Sequence, residues 1–137
     1  MDEDQPIYAN EFVYRRIHRT YYQAGLPLPV QPAAFRPSQR DTTGLSVFRE
    51  FFVRPVDTLA SVEASKRNDY YVARLAVQDL HRLGLTVVPE PDPSGPLGHA
   101  VIPELSWQAY QADKQRLKVL QVELAKLASA EIVHKPS

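Results

Sequence analysis

The placement of proline constrains the fold of this chain more than any other feature, because proline interrupts helices and the interior of sheets. Three of the twelve prolines fall between residues 25 and 33, and four fall between residues 89 and 96. Both stretches are expected to be extended loops, the second of them on the surface. Pro55 and Pro103 end the apolar segments that precede them. The elements predicted before residue 104 are therefore short.

Short apolar runs between these breaks predict a β-sheet. Strands are expected near residues 12–17, 45–49, 70–76, 85–88 and 99–102. The stretch 70–83 also fits one helix that runs to Gly84, but its aromatic and β-branched residues favour a strand through Ala76.

Three helices are predicted to pack against this sheet. One lies near 58–67, where Asp57 can act as the N-cap, and one near 77–83, where Gly84 can take the left-handed position that follows a helix. The longest, near 106–131, carries an apolar stripe at three- and four-residue spacing. The fold class is therefore α+β: a small mixed β-sheet with two short helices and one long C-terminal helix.

Length and composition narrow the class of protein further. The 137 residues suit a single domain, with a flexible tail at 1–10, an α+β core at 11–103 and an amphipathic helix at 104–133. Sixteen basic and sixteen acidic side chains cancel, which disfavours nucleic acid as a partner. The absence of cysteine excludes disulfides, thiolate zinc sites and cysteine nucleophiles. No apolar run approaches the ~18 residues that cross a membrane, and the acidic start is unlike a signal peptide, so a cytoplasmic protein is predicted.

The first candidate site is the segment Tyr14-Arg15-Arg16-Ile17-His18. An arginine on this strand could hold a phosphate or carboxylate with its planar guanidinium, and His18 could be a second contact. The alternative is a surface strand whose arginines cover apolar neighbours. Because successive strand residues point to opposite faces, at most one of Arg15 and Arg16 is expected to serve a given site.

The second candidate is the loop that leads into the strand near 45–49. Arg36, Arg40 and Asp41 lie there among hydroxyl side chains, and backbone amides near Gly44 could add to an anion site. A lone glycine does not make a phosphate-binding loop of the known kinds. The alternative is a turn in which Asp41 bonds the local backbone and Arg40 pairs locally.

The third candidate is His99, which opens a strand after the proline-rich loop. It could act as a general base beside a nucleophile such as Ser46, and with Arg16 these two residues are the catalytic candidates. The alternative is a histidine whose ring bonds a backbone carbonyl. The four histidines show no metal-ligand spacing, and nothing in the sequence indicates a cofactor.

The C-terminal helix is the candidate surface for a protein partner or for self-association. Its stripe is expected either to cover the core of the domain or to dock a partner. The residues concerned are Trp107, Tyr110, Leu117, Leu120, Leu124 and Leu127.

Three segments resemble a group of small bacterial proteins that has no established activity. They comprise Tyr14-Arg15-Arg16-Ile17-His18, the segment from Ala34-Phe35-Arg36-Pro37 to Gly44-Leu45-Ser46-Val47, and the segment from Val87 to Gly98-His99-Ala100-Val101-Ile102. The resemblance covers residues 13–103 and implies a member of a multi-gene bacterial system, phage defence included.

The order of the early arginines, Phe35-Arg36-Pro37 and the short strand with Ser46 is also similar to the opening of ADP-ribosyltransferase-like domains. That resemblance implies that Arg15 or Arg16 and Ser46 hold nicotinamide dinucleotide. The late glutamate of that family would fall to Glu104, which follows a proline and opens the long helix.

No motif accounts for a reaction, so the leading expectation is a non-catalytic adaptor subunit that docks a protein through its C-terminal helix. The alternative is a small enzyme or ligand-binding domain that acts on a nucleotide or nucleic-acid phosphate. Convergence of the early arginines, Ser46 and His99 on one site would favour that alternative.

Overall fold

A computed structural model describes residues 2–137. Its strands are β1 (Phe12–His18), β2 (Leu45–Arg49), β3 (Tyr70–Ala76), β4 (Val88–Pro89), β5 (His99–Ile102) and β6 (Ile132–His134). They form one sheet in the order β4-β5-β2-β1-β3-β6.

The α+β class is confirmed, but the sheet is antiparallel where the sequence suggested mixed strand directions. Every ladder among the described strands is antiparallel. A parallel pair needs a crossover, usually a helix, between neighbouring strands. Here the connections from β1 to β2 and from β4 to β5 contain only loops and 3-10 turns within residues 2–137.

The helices are α1 (Val77–Arg82), α2 (Trp107–Ala112) and α3 (Lys114–Ala130). The single long helix predicted near 106–131 is divided at Asp113, whose backbone is extended and whose carboxylate accepts a hydrogen bond from the Arg116 amide at 3.1 Å. Asp113 thereby caps the start of α3. None of the described helices combines the length and apolarity needed to cross a membrane.

The helix predicted near 58–67 is replaced by two 3-10 turns, Pro55–Leu59 and Ala64–Asp69. Asp57 lies inside the first turn, where its carboxylate bonds the backbone and guanidinium of Arg54, and is not the N-cap of a helix. The left-handed Gly84 is confirmed with φ of +78°, and its amide bonds the carbonyl of His81 at 2.9 Å.

One strand prediction differs from the structure, and one strand begins in residues that were predicted to end the C-terminal helix. The strand expected near 85–88 is reduced to the short β4, because Leu85 and Val87 turn into the core before pairing begins. Strand β6 was not predicted, because three residues after a helix carry too short a pattern. It pairs with β3 at the edge of the sheet.

One face of the sheet carries the main core and is covered by α3 and the 3-10 turn Pro32–Phe35. Leu117 and Leu124 of α3 are buried there, and Leu120 and Leu127 pack against the same cluster. The stripe on the long helix therefore covers the core of its own domain.

The opposite face carries a smaller cluster of Tyr14, Phe48 and Val72. Val53 packs against it, and the 3-10 turn Pro55–Leu59 lies over β1 and β3. The connection between β2 and β3 thus covers part of this second face and brings its own side chains to β1.

The N-terminal segment predicted as a flexible tail is held to the sheet by Arg49, whose side chain is fully buried. Its guanidinium donates to the carbonyls of Glu3 and Gln5 and pairs with the Glu11 carboxylate at 3.0 Å. The Glu3 carboxylate accepts from the Gly98 amide at 2.8 Å. A buried cation needs these acceptors, which is the physical reason that the segment is ordered.

Candidate functional site

The candidate site lies where strands β1 and β2 separate. Their ladder consists of Val13 opposite Arg49 and Tyr14 opposite Phe48 and then ends. The guanidinium of Arg15 extends toward β2 at this point and donates to the carbonyls of Ser46 at 2.9 Å and Ala34 at 3.0 Å. A side chain thus supplies donors that a continued ladder would have supplied from the backbone.

The Arg15 side chain is half-buried, and its guanidinium is incompletely satisfied. Its Nε has no hydrogen-bond partner among residues 2–137 and no contact with solvent. Burial lowers the pKa of Arg15 to about 10, Asp41 opposes this decrease, and the neighbouring charge of Arg16 adds to it. The group remains a cation at neutral pH.

Arg16 leaves the strand on the opposite face. Its Nη1 donates to the Thr58 carbonyl at 3.2 Å and to the Ser61 hydroxyl at 3.0 Å, and its guanidinium lies 5.1 Å from the centre of the Phe48 ring. Burial lowers the pKa of Arg16 as well. The opposite directions of the two arginines are as the strand pattern predicted.

Both arginines nevertheless line one cavity of about 380 Å³. The strand pattern, which sends the two side chains to opposite faces, did not indicate this shared cavity. The reason is that the cavity lies at the end of the β1–β2 ladder, where side chains from both faces of the sheet reach the same space. The other residues that line it are His18, Tyr21, Ala34, Ser61, Val62 and Tyr70.

The two cavity arginines differ from the other buried or half-buried arginines in their partners. Arg49 pairs with Glu11, and Arg74 pairs with Glu50 and Glu131. Within residues 2–137, no carboxylate lies within salt-bridge distance of Arg15 or Arg16. Their direct hydrogen-bond acceptors are carbonyl and hydroxyl oxygens.

An ion pair and an aromatic contact lie in the segments next to the cavity. Asp69 pairs with the exposed Arg19 at 3.5 Å, and both belong to the segments that flank the cavity. The ring of His18 lies edge-on to Tyr70 with centroids 5.1 Å apart, and its Nδ1 accepts from the Thr20 amide.

The predicted loop site does not join this cavity. Arg36 and Arg40 are exposed and do not line the cavity. Asp41 accepts hydrogen bonds from the amide of Ser38 at 2.7 Å and from its hydroxyl at 3.2 Å. These bonds match the alternative in which Asp41 closes a turn.

Ser46 and His99 form a pair of their own. Ser46 Oγ lies 3.0 Å from His99 Nε2, and His99 Nδ1 lies 2.7 Å from the Glu90 carbonyl oxygen. The structure thus places Ser46 beside His99 and also bonds the ring to a backbone carbonyl, while the role of His99 as a base stays a prediction. Arg16 and His99 both contact the Phe48 ring, but neither Ser46 nor His99 lines the arginine cavity.

The residues proposed for partner docking have mixed exposure. Leu117 and Leu124 are in the core, whereas Trp107 and Tyr110 are half-buried with ring centres 5.9 Å apart. The apolar side chains that α3 exposes are Val119 and Val122, on the opposite side of the helix from the core stripe.

Sequence reasoning missed the residues that complete the cavity opposite β1. Ser61 lies in an irregular connection, and no local pattern indicates that it meets Arg16. Tyr70 was recognised as a strand residue, and its place in the cavity follows only from the pairing of β3 with β1, which sets Tyr70 opposite His18.

Comparisons with protein-family models, with curated proteins and with solved structures found no match to this chain. Glu104, the residue that would supply the late glutamate of an ADP-ribosyltransferase-like domain, instead accepts from the amide of Thr86 at 2.8 Å and from its hydroxyl at 2.7 Å.

Proposed function

We propose that the chain is a ligand-binding domain whose cavity holds a small phosphate-bearing molecule, of the size of a mononucleotide. The observation that supports this proposal is the pair of half-buried arginines, Arg15 and Arg16, which share one cavity and have no carboxylate of residues 2–137 within salt-bridge distance.

Arg15 and Arg16 are two positive charges in positions that are partly shielded from water. Removing a cation from water costs several kcal/mol unless an anion or hydrogen bonds compensate. Arg15 and Arg16 have hydrogen bonds to neutral oxygens only, and each charge disfavours the other. An anion in the cavity would offset both costs at once. Planar guanidinium groups match phosphate oxygens in geometry as well as in charge.

The residues that line the cavity favour a phosphate ester as the ligand, in preference to free inorganic phosphate. Tyr21 and Tyr70 present aromatic rings, and Ser61 and His18 add polar groups. A volume of about 380 Å³ is at the small end of the range for ligand pockets, which is roughly 300–1,000 Å³. A single sugar phosphate or mononucleotide suits such a space better than a dinucleotide.

The experiment is isothermal titration of the full chain with inorganic phosphate and with adenosine monophosphate. Arg16→Met removes a cavity charge while its carbonyl and hydroxyl partners can turn to water. Loss of a charge-assisted hydrogen bond costs about 1.5–3 kcal/mol, so affinity should fall roughly 10- to 100-fold.

Arg40→Met is the matched control, because Arg40 is an exposed arginine outside the cavity. It should bind both probes as the unaltered chain does. Equal losses in the two variants would indicate attraction by overall charge and would contradict the proposal. An absence of binding by the unaltered chain would contradict it too.

A second candidate is the adaptor role in a bacterial multi-protein system, now through the outer side of α3. Val119 is 65% exposed and Val122 is 42% exposed on that side. Val119→Glu should then abolish a concentration-dependent increase in molar mass measured by light scattering. Val56→Glu, at an exposed valine far along the chain, is the control. A constant monomer mass in all samples, with no change on mixing with candidate partner proteins of the same gene cluster, would contradict this role.

A further inference from the structure

We propose that Ser46 and His99 form a second site, in which Ser46 is a nucleophile that accepts the acyl group of a small carboxylic ester and His99 is its general base. The proposal does not depend on the arginine cavity, because neither residue lines it.

The hydrogen bonds determine where the protons are. A backbone carbonyl can only accept, so the 2.7 Å contact between His99 Nδ1 and the Glu90 carbonyl requires a proton on Nδ1. In the neutral ring the other nitrogen, Nε2, then carries the lone pair. Ser46 Oγ, 3.0 Å from Nε2, must therefore be the donor. A hydroxyl that donates to an imidazole lone pair is the arrangement of an activated serine.

The base is held in this orientation by the sheet. The amide of Glu90 donates to the His99 carbonyl at 2.9 Å, so the carbonyl that orients the ring belongs to a residue paired with His99 itself. Phe48, opposite His99 on β2, packs edge-on against the imidazole with ring centroids 5.5 Å apart. Ser46 lies on the same face two residues before Phe48 and is paired with Val101.

Two carboxylates lie near the ring of His99. The Glu90 carboxylate is 3.9 Å from His99 Nδ1. The hydrogen bonds from Ser94 lower the pKa of Asp92, and His99 contributes to that decrease, so a second carboxylate stays ionised nearby. The positive groups on this face are Arg16, whose guanidinium lies 5.1 Å from the centre of the Phe48 ring, and Arg74, which pairs with Glu50. Ser46 is half-buried and the His99 side chain is 16% exposed.

Ser46 Oγ attacks the ester carbonyl carbon and forms a C–O bond, and its proton moves to His99 Nε2. The bond from that carbon to the alkoxy oxygen then breaks, and the leaving alcohol takes the proton from Nε2. Water, deprotonated by the same nitrogen, releases the carboxylic acid from Ser46 and restores the serine proton.

The test is covalent labelling of the full chain with an alkyl fluorophosphonate, followed by intact mass and peptide mapping. In that reaction Ser46 Oγ forms a P–O bond, the P–F bond breaks, fluoride leaves, and His99 takes the proton. The expected result is one adduct, located on Ser46 and absent from Ser46→Ala. His99→Gln should slow labelling at least about 100-fold, the usual contribution of a general base. Ser38→Ala is the control, since the Ser38 hydroxyl bonds a carboxylate and not an imidazole.

Circular dichroism establishes whether His99→Gln is folded. If it is not, peptide mapping of the unaltered chain decides, because an activated Ser46 must carry the adduct in preference to Ser38. A missing adduct on Ser46, equal labelling of Ser38, or an equal rate in folded His99→Gln would each overturn the proposal.

Discussion

Arg15 donates a hydrogen bond of 2.9 Å to the main-chain carbonyl of Ser46, across the point at which strands β1 and β2 separate. The hydroxyl of the same serine lies 3.0 Å from His99 Nε2. Ser46 therefore connects the two candidate sites: its carbonyl anchors an arginine of the cavity, and its side chain belongs to the serine–histidine pair. The cavity lies where β1 and β2 separate, whereas the serine–histidine pair depends on the pairing of β2 with β5.

A first prediction concerns the contribution of Arg15 to the free energy of unfolding. Arg15→Lys keeps the charge, but an ammonium cannot reproduce the planar pair of bonds to Ser46 and Ala34. One buried carbonyl is then left without its donor, and we expect a loss of about 1–3 kcal/mol in the free energy of unfolding, measured in urea. Arg36→Lys, at an exposed position, should change it by less than about 0.5 kcal/mol. Equal stability of the two variants would show that Arg15 does not support the strand separation.

A second prediction concerns the buried pair of Arg49 and Glu11. Glu11→Gln removes the negative partner of a fully buried guanidinium, and breaking such a pair typically costs about 3–5 kcal/mol. Thermal unfolding should show a clear decrease in midpoint and earlier proteolysis of the N-terminal segment. Asp57→Asn, which breaks the exposed pair with Arg54, should cost no more than about 1 kcal/mol. A Glu11→Gln protein as stable as Asp57→Asn would contradict this assignment.

A third prediction compares two glycines with positive φ. A Cβ at Gly44 would lie 2.4 Å from the carbonyl oxygen of Ile102 on the neighbouring strand, whereas a Cβ at Gly84 would meet nothing within 4 Å. Gly84→Ala should therefore cost only the backbone term of about 1–2 kcal/mol. Gly44→Ala should cost more than about 3 kcal/mol, because β2 and β5 must also move apart. Equal losses in denaturant titrations would contradict the close approach.

A fourth prediction concerns alkaline stability. Burial, together with the hydrogen bond to Glu50, raises the pKa of Tyr14 to about 12 from its ordinary value of 10.0. Because the folded state holds this proton more tightly than the unfolded state, the stability from Tyr14 is complete below pH 10 and is lost as the pH rises toward 12. The difference in unfolding free energy between the unaltered chain and Tyr14→Phe should therefore shrink over that interval. A constant or growing difference would mean that the phenol is not held in its neutral form.

The sequence was sufficient for the strands that carry the core. Strands β1, β2, β3 and β5 lie close to the predicted bounds, because alternating apolar residues between prolines leave few alternatives. It was insufficient for the order of the strands and for β6, since pairing depends on contacts between distant segments.

The candidate sites were also predicted only in part, because they depend on contacts between segments that are distant in the sequence. The opposite directions of Arg15 and Arg16 follow from strand geometry and were predicted. Their common cavity depends on where one ladder ends, which no local pattern encodes. Ser46 and His99 were candidates by residue type, but their contact required the pairing of β2 with β5.

The most direct test of an anion site in the arginine cavity is nuclear magnetic resonance of the arginine Nε–H groups during titration with inorganic phosphate. The Arg15 Nε–H is buried without a partner, and the account predicts that its resonance and that of Arg16 shift together and saturate. The resonances of Arg49 and Arg74, which already pair with carboxylates, should stay in place. Absence of a saturable shift at Arg15 and Arg16, or equal shifts at all four arginines, would contradict an anion site at the β1–β2 separation.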